Sequence, residues 1–408
     1  MNLKQKYSIL FTLGGLSALA PLSIDMYLPA FPQIAKDLNT DIAHVSFSLT
    51  SYFIGISLGQ LLYGPLTDKF GRKKPLLLGL LIFFVSAVGC ALSPSVFWLI
   101  SLRVILAFGG CAGMVTSTAA VKDLFPQSEV AKIFSILMLI LGIAPIVGPT
   151  LGGTILTVTN WHFIFYFLSF FSLILIVMVY LYLPEFKELK NKKTLTIANI
   201  VKDYKFVITR NGFLFYALAT GTAMAGMFAY ISGSPFVFIK YFKFSEVQYS
   251  LIFAFNALGF IAGSQINRAL LNKYSSIEII YLAGFMLLSV SIVLVLLLMV
   301  DFLGPITLIA FIFTFLFSLG LLIPNATAGA LSSFTINAGM ASAVVGAFQM
   351  ILSAVSSWLV NFLFNGSIEP MVFGICCPSA FCSMILFFLW RKSKSAKDNI
   401  SATSKKIL

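Results

Sequence analysis

Along most of the chain, apolar residues run on for about 20 positions before a charge interrupts them, the length a helix needs to cross the hydrocarbon core of a bilayer. Reading from charge to charge predicts twelve such helices, near 7–28, 43–66, 75–93, 96–120, 130–157, 161–183, 211–238, 246–267, 277–299, 304–326, 340–363 and 370–390. The stretch 304–363 carries no charge, and Pro324, Gly329 and the polar run from Leu331 to Asn337 divide it in two. These runs are too long for barrel strands and lack an alternation of period two. Lys4 and Lys6 before the first run look like the start of a signal peptide. The run outlasts a signal-peptide core, with no small-residue cleavage site before Pro21, so it is read as a retained span.

Composition supports the same class. Hydrophobic residues make up 59% of the 408 positions and charged residues only 10%, with a mean hydropathy of +0.98. A soluble domain is about 25% charged, so a water-facing surface cannot be built from this chain. A disordered chain, a disulfide scaffold and a single-span receptor with a large ectodomain are excluded for the same reason. The net charge of +13 invites a nucleic-acid partner. Mapped along the chain, however, 23 of the 27 lysines and arginines fall in alternate loops and at the two termini. That bias places both termini in the cytoplasm and requires an even number of spans. The five cysteines lie inside apolar runs, without metal or redox spacing, and no cofactor or metal is expected.

The basic segment from Pro184 to Arg210 separates six spans from six. Sliding the chain by 204 residues superposes Gly55 on Gly259, Gly59 on Gly263, Asp68 on Asn272, Lys69 on Lys273 and Gly142 on Gly346. The expected fold is an all-α membrane protein of twelve transmembrane helices in two pseudo-symmetric six-helix bundles. The bundles would be 1–190 and 211–390, joined by a linker at 191–210 and followed by a tail at 391–408. Duplicated halves are a transporter architecture, although small residues also recur wherever helices touch.

After the second span comes Gly59-Gln-Leu-Leu-Tyr-Gly64-Pro65-Leu-Thr-Asp68-Lys69-Phe-Gly71-Arg72-Lys73-Lys74. Gly64 and Pro65 would permit close approach and a bend, and Gly71 a tight turn. Asp68 can pair with an arginine or accept from a helix N-terminus, while Arg72 and Lys73 stay at the inner surface. Such a loop can act as a conformational latch or be a plain positive-inside loop. The string closely resembles the signature loop of the major facilitator superfamily. Three more strings narrow the resemblance to its Bcr/CflA drug-resistance branch. They are Ala20-Pro-Leu-Ser-Ile-Asp25-Met-Tyr-Leu-Pro29-Ala-Phe-Pro32, Phe228-Ala-Tyr-Ile-Ser-Gly-Ser-Pro235, and Ala338-Gly-Met-Ala-Ser-Ala343 with Gly346 and Gln349. The resemblance implies a proton-coupled exporter of drugs or small metabolites in the bacterial inner membrane.

In the fifth span, Gly142, Pro145, Gly148, Pro149 and Gly152 form a run in which Gly148 and Gly152 share a face and the prolines favour a kink. The run is similar to the antiporter motif of the superfamily, which favours export over uptake; the alternative is a packing helix.

Only two ionisable residues lie clearly inside spans, Asp25 and Arg103, and such residues are costly and usually functional. With the first span ending near Leu28, Asp25 would lie about 5 Å below its outer end and Arg103 about 10 Å deep, so an ion pair is geometrically allowed. The resemblance assigns both to proton coupling. Leu106 stands where the family's fourth-span motif usually has Gln, whereas Gly109 and Gly113 fit it. A neighbouring cation favours the ionised acid and desolvation the neutral one, so a conformational change can swing the balance. The plainer reading has Asp25 at the interface and Arg103 snorkelling outward. His44 and His162, beside Asp41 and Trp161, read as interface anchors.

Under the 204-residue offset, Asp25 and Arg103 face Ala229 and Thr307, so the charged groups belong to the first half. Tyr230, Asn256, Asn325 and Gln349 are then candidate cargo contacts in the second, or else bonds between helices. Expected partners are a small-molecule cargo, protons and lipid, with a monomeric chain. The competing functions are a proton-coupled metabolite importer, a membrane-embedded enzyme and a receptor. No HExxH string, paired intramembrane carboxylates or nucleotide-binding loop supports an enzyme.

Overall fold

The computed structural model describes residues 3–185, 197–210, 212–332, 334 and 338–407, and every element among them is helical. In the first half these are α1 (Leu3–Asp25), a 3-10 turn Leu28–Ala30, α2 (Phe31–Asp37), α3 (Ile42–Phe70), α4 (Lys73–Ala91), α5 (Val96–Leu124), α6 (Gln127–Val158) and α7 (His162–Tyr182). A linker helix, α8 (Ile197–Ile208), follows; residues 186–196 of the expected linker region lie outside the described residues. The second half holds α9 (Phe213–Pro235), a π-helical turn Phe236–Tyr241, α10 (Glu246–Leu270), α11 (Ser276–Met299), α12 (Pro305–Leu331), α13 (Ala338–Phe362) and α14 (Glu369–Ile407).

Eleven helices among the described residues are long and apolar enough to cross a membrane. The twelfth expected span is α6, in which residues 142–158 form a shorter apolar run. Boundaries follow local chemistry. Asp41 caps α3 by accepting from the His44 amide at 2.7 Å, and Ser245 with Gln248 forms a capping box at the start of α10.

The first span departs from expectation. It does not end near Leu28 but continues through the 3-10 turn and α2 to Asp37, covering 33 residues. Pro29 and Pro32 read as terminators, yet each stands in the first turn of a new helix, where a missing amide hydrogen costs nothing. Asp25 is therefore about 18 Å from the outer end of its span at 1.5 Å per residue, far deeper than the sequence suggested. Trp161, beside the expected anchor His162, is a packed residue. It is fully buried, its indole donating to Asp37 at 2.8 Å and its amide to Gln33 at 2.8 Å, so it staples α2 onto α7.

The two halves repeat one contact pattern. In the first, α3 and α4 both pack on α5, α4 packs on α7, and α1 contacts α5, α6 and α7. In the second, α10 and α11 pack on α12, α11 packs on α14, and α9 contacts α12, α13 and α14. Glycines at matched positions make these crossings close. A Cβ on Gly55 would run into the Val104 carbonyl of α5, and one on Gly263 into the Phe317 carbonyl of α12. The main seams between the halves are α3 with α13 and α6 with α10, which exchange under the same duplication. Gly346 faces Gln60 across one seam and Gly142 faces Ile261 across the other.

At the lysine-poor end, which we call outer, the seam is closed by side-chain hydroxyls. Ser46 of α3 lies 2.7 Å from Ser232 of α9, and Thr50 lies 2.8 Å from Ser357 of α13. Ser357 donates to Ser232 at 2.9 Å, and Ser232 to the Asn361 amide oxygen at 3.3 Å. Below them Phe53 and Phe228 meet with ring centroids 4.3 Å apart. Cysteines placed at Ser46 and Ser232 should form a disulfide under mild oxidation and lose it on reduction. A pair that stays reduced would show that these two positions do not meet in the folded chain.

Candidate functional site

The site begins where α1 stops. The last four carbonyls of a helix have no intrahelical donor, and in a bilayer no water replaces them. The Met26 amide donates to Leu22 at 3.0 Å. Arg103, rising from α5, covers the next carbonyl, donating from Nη1 to Ser23 O at 2.9 Å and to Ser23 Oγ at 3.1 Å. A cation at a helix C-terminus also meets the negative end of the macrodipole. The guanidinium carbon lies 4.6 Å from the Tyr27 ring centroid and 4.4 Å from that of Tyr52, with Phe165 at 6.0 Å. Each such cation–π contact contributes about 0.5–2 kcal/mol. Tyr27 is fixed through Ser48 at 2.9 Å, and Tyr52 donates to the Ala20 carbonyl at 3.1 Å. Arg103 is fully buried and does not snorkel, and its Nε and Nη2 have no hydrogen-bond partner among the described residues.

Asp25 is also buried, but no hydrogen bond or ion pair joins it to Arg103 among the described residues. Helix geometry explains the separation of the two charges. Asp25 is two residues past Ser23, about 200° around the axis, so it faces away from α5 and toward α6. There Gly148 and Gly152 give it room. A Cβ on Gly148 would lie 2.6 Å from the Asp25 Cβ, and one on Gly152 would run into the Met26 carbonyl. Asp25 and Arg103 are the only buried charged residues among the described ones.

Of the candidate cargo contacts, the structure brings Tyr230 and Asn256 together. The Asn256 amide donates to the Tyr230 hydroxyl at 3.2 Å, and Tyr230 stacks on Phe253 at 5.6 Å. The amide oxygen of Asn256 is buried without a partner among the described residues. Asn325 lies apart, donating to Asn267 at 2.5 Å and to the Leu321 carbonyl at 2.8 Å as a brace between α10 and α12. Gln349 is half-buried on α13, its backbone carbonyl accepting from Ser353 at 2.6 Å. Tyr27, Tyr52 and Tyr249 were not singled out from sequence. Among 14 tyrosines and 42 phenylalanines, spacing alone does not mark those that converge.

In the loop between α3 and α4, Gly71 has a φ of +75°, the conformation glycine tolerates. Gly64 behaves otherwise than expected, with open space rather than a neighbouring helix where a Cβ would go. Arg72 pairs with Asp123 at the end of α5. Lys73 donates to the Tyr180 carbonyl at 3.0 Å and to the Leu183 carbonyl at 2.7 Å, capping α7. The side chain of Asp68 lies outside the described residues. Pro145 and Pro149 both sit inside α6, and Gly142 meets Ile261 at an ordinary 3.6 Å from its built Cβ position. No cluster that could hold a metal occurs among the described residues.

Comparison with known proteins bears on all of this. Residues 13–357 match the family model described as Major Facilitator Superfamily. An uncharacterized MFS-type transporter of Bacillus subtilis is 36% identical over 88% of this chain and 89% of its own. A bicyclomycin resistance protein homolog of Haemophilus influenzae is 29% identical over 97% and 99%. A chloramphenicol resistance protein of Pseudomonas aeruginosa is 28% identical over 91% and 88%. Among solved structures, a D-xylose–proton symporter superposes with a TM-score of 0.72, covering 93% of this chain and 97% of that one at 15% identity, a likeness of fold.

Two outcomes follow from the geometry. Gly152→Ala should lower stability by about 1–3 kcal/mol through overpacking against the break, whereas Gly142→Ala should be tolerated; thermal unfolding of both in detergent checks the contrast. Arg103→Lys keeps the charge but loses the planar fork and the ring stacking, and should cost about 2 kcal/mol. An unchanged melting temperature would refute the capping role.

Proposed function

Because this chain belongs to the Major Facilitator Superfamily, we propose that it is a proton-driven exporter of drugs or small metabolites working by alternating access. The observation that carries the reading is Asp25, a buried carboxylate held at a helix break against Gly148 of α6, a helix of the α6–α10 seam between the halves. Relatives named for bicyclomycin, chloramphenicol and multidrug resistance support the cargo class and the direction. The spans are those of a multi-pass membrane protein, and the charge bias supports an inner-membrane chain with both termini cytoplasmic.

In this mechanism residues 1–190 and 211–390 rock about the seams α3–α13 and α6–α10. When the outer end is open, Asp25 takes a proton and the cargo leaves; when the inner end is open, the proton leaves as cargo binds. Arg103 holds Ser23, and through it the end of α1, so the carboxylate keeps its orientation while its surroundings change. Tyr230 and Asn256 offer polar groups from the second half, with the Asn256 amide oxygen available to a donor on the cargo. Each charge moved across 100 mV supplies about 2.3 kcal/mol, enough for about fiftyfold accumulation. Gly71, Arg72 and Lys73, with Asp68 beside them, act as the inner latch, Arg72 through Asp123. Gly148 and Gly152 let α6 slide against the break.

Asp25→Asn should abolish uphill efflux in everted vesicles while leaving the folded chain in the membrane at wild-type amount. Wild-type pH-dependent efflux by that variant would sink the coupling role.

A further inference from the structure

Pro65 stands inside α3. A proline has no amide hydrogen, so the carbonyl four residues earlier, that of Leu61, loses its intrahelical donor. That carbonyl is not left vacant. It accepts a hydrogen bond of 2.8 Å from the hydroxyl of Tyr204, which lies on α8 in the linker, 143 residues along the chain.

The helix that delivers Tyr204 is fastened to the other half. Val207 of α8 is fully buried in a cluster with Phe213 and Ala217 of α9, Phe334, and Val344 and Val345 of α13, with Tyr204 packed against the same cluster. The opposite face of α8 is exposed at Lys202, Lys205 and Phe206. One bond therefore joins a helix carried by the second half to a span of the first, four residues before Pro65 and just ahead of the basic loop. The seam at the other end of the molecule is closed in the same structure.

We propose that Tyr204 is a positioning residue of the transport cycle, a clip that docks the linker helix on the main-chain vacancy made by Pro65 and favours the outer-closed conformer. Tilting one half against the other shifts the inner end of α3 relative to the linker helix carried by the α9–α13 cluster, so the bond made in the outer-closed conformer must break and the Leu61 carbonyl must turn to water. The weight of the clip is that of one net hydrogen bond, about two- to tenfold in the conformational equilibrium. The proposal rests on the alternating-access reading but not on the identity of the cargo or the role of Asp25.

The test uses the full chain in lipid nanodiscs, with a reporter cysteine at Ala43, a buried outer-end position, and the parent chain as blank. A polar maleimide should label Tyr204→Phe two- to tenfold faster than the parent, and amide exchange over residues 197–208 should accelerate. Pro65→Ala restores a donor to the Leu61 carbonyl and should reproduce the effect, and the double variant should change nothing further. A Tyr204→Phe protein that labels and exchanges at parental rates overturns the proposal, as do effects of the two substitutions that simply add. Neither readout needs cargo or a proton gradient, so failure here is distinct from failure of the export reading.

Discussion

A main-chain carbonyl without a donor is expensive in a bilayer, and the architecture around α1 is a response to that cost. The first span stops at Asp25 and restarts beyond it. Arg103 makes the interruption tolerable by covering Ser23, and the rings of Tyr27 and Tyr52 hold the guanidinium in place. With Arg103 committed to the backbone, Asp25 has no fixed counter-ion among the described residues. An acid in that position is not held to one charge state, as a tightly paired one would be.

Close approach is the second constraint. Without a hydrophobic force between helices in lipid, packing density holds them together, and the duplicated glycines supply it. Gly55 with Gly59, and Gly259 with Gly263, allow α3 onto α5 and α10 onto α12 almost backbone to backbone. Crossings that tight behave as rigid units. The seams between the halves use larger side chains, hydroxyls and isolated glycine contacts, so these are the surfaces along which the molecule can shear.

Much of the fold was legible because membrane insertion writes itself in runs and charges. The runs, the lysine bias and the 204-residue repeat locate the spans, and the contact pattern repeats as the offset requires. The breaks were harder. Pro29 and Pro32 look like ends, and only tertiary contacts show that the chain resumes as helix. Arg103 was recognisable as a buried charge, but its partner was not: Ser23 and Asp25 are two residues apart in sequence and on opposite faces in space. Trp161 matches the composition of an interface belt, whereas its ring is buried and its indole donates to Asp37. The convergence of Tyr27, Tyr52 and Phe165 on the Arg103 guanidinium depends on three separate parts of the chain, which no local pattern encodes.

The outer seam has a consequence of its own. Ser46, Thr50, Ser232 and Ser357 bond to one another at distances water would match. Parting them trades hydroxyl for solvent at nearly equal energy, so the seal derives its selectivity from alignment and little from adhesion. A mouth of this kind can stay shut against leakage yet unzip without a large activation penalty, and the speed of the cycle is then set elsewhere in the protein.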